Sequence, residues 1–193
     1  MITKNRLYTN EIWKVASTSK KTRVVAATSG YTFSGYLNHA ANERVLDILN
    51  QGSVMGPESL PEDFLQLTEV EIISADGLKK QVSPSCLIAK PNILFVAEKN
   101  VKQENPRLAA RLHPLYQPKK SVCVEILMPN IAMLGNVHVS EWQRPLSVIN
   151  TMQRFLPLTM ISLSARLNTG DVEFDFVAVN RNEILFMAET EAC

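Results

Sequence analysis

The chain repeats itself. With residues taken 100 positions apart, Val24, Gly35, Arg44, Leu46 and Asn50 coincide with Val124, Gly135, Arg144, Leu146 and Asn150. After Asn50 the offset falls to 91, so the first copy carries nine extra residues there. Phe64, Leu65, Leu67 and Thr68 then coincide with Phe155, Leu156, Leu158 and Thr159, and ILFVAE at residues 93–98 meets ILFMAE at residues 184–189. A register held over so many positions, with one insertion in a stretch containing Gly and Pro, constrains the fold strongly. Whatever one copy builds, the other must build too.

The repeated unit has the pattern of strands. In the second copy Val122, Val124, Ile126 and Met128 alternate with Cys123, Glu125 and Leu127, which is the period of a strand. Ser29-Gly30 and Pro129-Asn130 supply turns, and second strands follow over residues 31–38 and 131–138. Gly35 and Gly135 fall mid-strand, where a glycine marks a bulge or sharp bend. A short helix comes next, over residues 45–50 and 145–150, with Asn42 placed to cap the first and Pro145 suited to the first turn of the second. A long strand over residues 64–73 precedes two apolar runs, 85–90 and 92–98, which read as a hairpin about Pro91-Asn92. Residues 172–180 and 183–189 read as the same hairpin in the second copy. Roughly five strands and one helical turn suit a small SH3-like barrel. A unit of that size gains by packing against its twin, so an approximate twofold pair is expected.

Charge is segregated along the chain. Residues 1–24 and 99–120 each carry a net +5, and the remainder carries −9. Arms of this kind either bind phosphate, with Lys20, Lys21, Arg107 and Arg111 as candidate nucleic-acid contacts, or dock on their own acidic modules. Asn105, Pro106 and Pro114 frame a helix in the second arm, and Leu108 and Leu112 share one of its faces, which favours docking. The insertion, within residues 51–63, reads as an exposed loop.

No Gly-rich phosphate loop, G-x-S-x-G elbow, H-E-x-x-H or C-x-x-C pair is present. His39, His113 and His138 lie too far apart in sequence to suggest a metal site, and no cofactor is implied. Cys86, Cys123 and Cys193 form an odd, scattered set, expected to be reduced thiols of a cytoplasmic protein. No apolar run reaches the ~18 residues of a membrane span, and the start lacks the form of a signal peptide. Arg44/Arg144 and Glu98/Glu189 recur in both copies and are expected to be a structural ion pair or cap rather than catalytic groups. Trp142, beside Arg144, is a candidate binding anchor, with half-buried packing as the alternative.

The run RVLDILN followed by FLQLTEVEI, with RPLSVIN followed by FLPLTMISL, resembles a bacterial family of small Sm-like or SH3-like barrels. That family carries an Arg-Leu-Ser-Asp-x-Leu-Asn segment before a Phe-x-x-Leu-Thr strand. Asp47 keeps the aspartate of its Ser-Asp pair without the serine, and the second copy departs from the pattern there with Ser147 and Val148. The family has no established activity, so the resemblance implies a fold alone. The expected organisation is a basic N-terminal arm (1–22), a β-module (23–98), a basic helical linker (99–120) and a second β-module (121–190). The chain is expected to be mainly β and not an enzyme. It is read as an assembly or regulatory module binding a protein partner or itself, with nucleic-acid binding by the basic arms as the alternative.

Overall fold

The computed structural model describes residues 19–51, 63–99, 119–150, 152–164 and 167–191. Its first half runs β1 (Ser19–Thr28), β2 (Tyr31–Ala40), α1 (Val45–Gln51), β3 (Phe64–Ser74), β4 (Lys80–Ala89) and β5 (Ile93–Glu98). The second half runs β6 (Lys119–Met128), β7 (Ile131–Ser140), β8 (Phe155–Leu163), β9 (Glu173–Asn180) and β10 (Phe186–Glu189). Short 3-10 turns occupy Lys90–Asn92, Pro145–Ile149 and Arg181–Glu183. All ten strands of the described residues join one antiparallel sheet in the order β10-β6-β7-β8-β9-β5-β1-β2-β3-β4.

Within that sheet the first half reads β5-β1-β2-β3-β4 and the second β10-β6-β7-β8-β9, the same order. The sheet is unclosed, where two closed barrels were expected. The halves are joined by β5 and β9, with Phe95, Val96 and Ala97 opposite Val179, Ala178 and Val177. These strands hold unlike positions in the two halves. A twofold axis at the junction would pair like with like, so the expected twofold is replaced by a head-to-tail join.

Two hairpins also need correction. β4 pairs with β3, and β5 with β1 and β9, so the two runs flanking Pro91 do not pair with each other. Likewise β9 pairs with β8 and β5, and β10 with β6. The 3-10 turns at Lys90–Asn92 and Arg181–Glu183 redirect the chain, carrying consecutive strands to opposite sides of each five-strand unit. A tight hairpin lies instead between β3 and β4, beside Gly77 at φ +74°. The basic arms are also shorter than expected. Lys20 and Lys21 already pair with His39 and Asn38 in the β1–β2 ladder, and Lys119 and Lys120 with Ser140 and Val139.

The glycine bends behave as expected. The β2–β3 register shifts between Ser34 and Tyr36, and the β7–β8 register between Leu134 and Asn136. Opposite them Glu69 (φ 52°) and Met160 (φ 53°), which are 91 apart, take the left-handed conformation. A Cβ on Gly35 would stand 2.9 Å from the Thr68 carbonyl oxygen, so the strands cross too closely there for a side chain.

Two apolar cores share the strands at the join. Val24, Ala26 and Val96 face a core with Leu37, Ile48, Leu49, Leu65 and Leu67. Val25, Ala27, Leu94, Phe95 and Ala97 face the other way, onto Ile126, Met133, Leu158 and Val177. In β1 and β5 successive side chains are therefore buried on both faces. Phe155 and Ala178 cross in the other direction, into the first-half core. Complete burial of a side chain such as Phe155 contributes about 1.5–3 kcal/mol.

Candidate functional site

The join is reinforced by polar contacts. α1 ends near Asn50, whose side-chain amide donates to the Phe155 carbonyl (3.0 Å) and accepts from the Phe155 N–H (2.8 Å). Such a two-bond clamp reads backbone rather than side chain, so it positions a strand end whatever residue follows. Lys99 Nζ lies 2.6 Å from Asp171 Oδ2 across the same join, both half-buried. Asn180 Nδ2 donates to the Ile93 carbonyl at 2.8 Å.

At the two ends of the sheet the described residues offer no strand beyond β4 or β10. Among the described residues each end therefore lacks a neighbouring strand, and an edge of that kind is the usual template for another strand. Apolar side chains accompany both edges. Phe64 and Leu87 stand exposed at the β3–β4 end, and Leu127, Leu185 and Phe186 at the β10–β6 end. Trp142 is 82% exposed rather than packed.

The repeated charges do not form the pair expected of them. Arg44 makes a bidentate contact with Asp47 (2.9 and 3.0 Å), which raises the guanidinium pKa and lowers that of the carboxyl. Arg144 has Ser147 at the matching position, and the Ser147 hydroxyl and N–H both donate to the Arg144 carbonyl. What the two arginines share is that carbonyl, which also receives the Asp47 N–H in the first half. Glu98 and Glu189 occupy matching ladder positions opposite Val24 and Val124, away from either arginine. Burial raises the Glu98 pKa, against the pull of Lys20 and His39.

Glu98 also lines a groove of about 570 Å³ with Lys99, Met160, Asp171, Glu173 and Asp175. Among the candidate nucleic-acid contacts, Lys21 donates to Glu69 at 2.7 Å and sits over the Tyr36 ring, and Lys20 is exposed. Arg107 and Arg111 lie outside the described residues, as does the linker helix. His39 accepts from or donates to the Thr22 hydroxyl at 2.8 Å and bonds the Ala40 carbonyl, while His138 bonds Thr159. Cys86 is a free, half-buried thiol, but Cys123 is disulfide-bonded, a correction to the expectation of reduced thiols throughout. No described helix is long and apolar enough to cross a membrane.

The residues that join the halves, Asn50, Phe155, Phe95 and Leu94, were visible in the sequence only as repeated letters. Their signal was there, since Asn50/Asn150 and Phe64/Phe155 are identical pairs, but pairing partners 105 residues apart cannot be read from local pattern. No family model matches the chain, and neither a curated protein nor a solved structure shows significant similarity to it.

Proposed function

We propose that this protein is a non-enzymatic assembly module, built from two copies of one curled, barrel-like unit, that binds protein through the open edges of its sheet. The observation that carries this reading is that, among the described residues, strand edges without a neighbour coincide with exposed large apolar side chains, Phe64 and Leu87 at one end and Leu185 and Phe186 at the other. An incoming strand gains backbone hydrogen bonds along the edge, and apolar contacts at alternate positions supply selectivity. A bare apolar edge is otherwise an aggregation hazard that folded proteins cover or charge.

The test is retention of partners, the chain itself included, from an extract of the native host. Leu87→Lys at one edge, and Leu185→Lys with Phe186→Lys at the other, place charge on exposed positions and leave the cores intact. Partners held by the unsubstituted protein and lost by these variants support the reading. Identical partner sets for all three contradict it, and retention of RNA or DNA in a salt-sensitive manner would move the function to the basic arms.

A further inference from the structure

We infer that the occupant of each open edge is the opposite edge of another copy of this chain, so that molecules pair head-to-tail, β10 of one against β4 of the next. This rests on the edge-binding reading and names its partner. The join inside the chain supplies the pattern. There the fifth strand of one unit meets the fourth strand of the next. Among the described residues, the strands left open are the fifth strand of the second unit, β10, and the fourth strand of the first, β4. The molecule therefore carries both halves of a contact it already makes once.

The residues agree with the topology. Leu94 and Phe95, 1% and 0% exposed at the join, recur unchanged as Leu185 and Phe186, 67% and 50% exposed. On the other side of the join Phe155, at 0%, recurs as Phe64, at 39%. The fully buried Ala178 corresponds to Leu87, at 54%. The Asn50 clamp on the Phe155 backbone has its counterpart in Asn150 and Phe64, which are identical residues at opposite ends of the molecule. Exposed copies of residues that are buried at an existing junction are what a second, identical junction would use.

Carrying the join over by the 91-residue offset fixes the register between molecules. Phe186 falls opposite Ile88, Met187 opposite Leu87 and Ala188 opposite Cys86 of the next chain. Because the two surfaces differ, the interface is heterologous, and repeated pairing closes a ring or extends a filament. Like-with-like pairing at one edge alone would instead stop at a dimer, and a variant at the other edge would leave that dimer intact.

Sedimentation and native mass spectrometry of the purified full chain test this with the two edge variants already named. The unsubstituted protein is expected to exceed the monomer mass, as a fixed multiple if a ring closes or a concentration-dependent series if it does not. Each edge variant alone is expected to be monomeric, its association weakened roughly thirtyfold or more, the scale of losing a central anchor. Mixed one to one, the two variants should form a dimer and stop, since each keeps the edge the other lacks. Either variant assembling alone like the unsubstituted protein overturns the head-to-tail pairing. So does an unsubstituted protein that stays monomeric at every concentration. In that last case, loss of other partners by the variants leaves the edge-binding reading standing, and unchanged partner sets remove both.

Discussion

Asn50 places one side chain against both backbone groups of Phe155. Each net hydrogen bond is worth about 0.5–1.5 kcal/mol, and unsatisfied buried partners add to the loss. Asn50→Ala is therefore expected to lower stability by about 1–3 kcal/mol in urea unfolding, and Asn150→Ala by much less in dilute protein. Gly35 gives a second comparison. A methyl group there meets the Thr68 backbone at 2.9 Å, whereas at Gly135 it meets the Ile161 side chain at 3.2 Å, and a side chain can yield. Gly35→Ala should cost more than Gly135→Ala when both are measured by thermal unfolding. Glu98 gives a pH signature. Its folded pKa is raised by burial, so its contribution is fully present below its unfolded value and is lost as pH rises through the folded pKa. Glu98→Gln should raise the melting temperature at pH 7, and the gain should vanish near pH 4. A gain of equal size at both pH values would contradict the burial argument.

At the scale of elements, Phe155 begins β8 and Phe64 begins β3, and they are the same residue in different surroundings. Phe155→Ala should cost about 3–5 kcal/mol, as for a filled core position. Phe64→Ala should cost little in dilute solution and should weaken association instead. Equal losses of stability for the two would contradict the assignment of Phe64 to an open interface. Strand existence and the glycine bulges could be read in advance because alternation and a mid-strand glycine are local signals. The partners of β5 and β10 could not. Two apolar runs flanking Pro91-Asn92 look like a hairpin, and only the 3-10 turn at Lys90–Asn92, with the β1 edge waiting on the far side of the unit, shows that they part. The repeated Arg44 and Glu98 suggested a mutual pair for a similar reason. Recurrence marks a shared position, and the shared feature at Arg44 and Arg144 is a carbonyl that receives a turn N–H.

For the whole molecule, the head-to-tail join explains why β1 is buried on both faces while β6 is buried on one. Val25 and Ala27 lie under the second unit, and their counterparts Glu125 and Leu127 face outward at the open end. It also accounts for part of the basic charge, since Lys99 is held by Asp171 across the join, while Lys21 is held by Glu69 within the first half. The exposed Lys21–Glu69 pair adds little stability, ~0–1 kcal/mol. The most direct measurement of the central claim uses the free thiol on β4. In an Ala188→Cys variant, oxidised with diamide at a concentration where the protein associates, the introduced thiol should lie opposite Cys86 of the neighbouring chain, within the reach of a cross-strand disulfide. The account predicts an intermolecular peptide joining position 188 to Cys86 by mass spectrometry, and a ladder of covalent multiples in non-reducing gels. Crosslinks only between two Cys86 residues or only between two copies of position 188, or none at all, would contradict it.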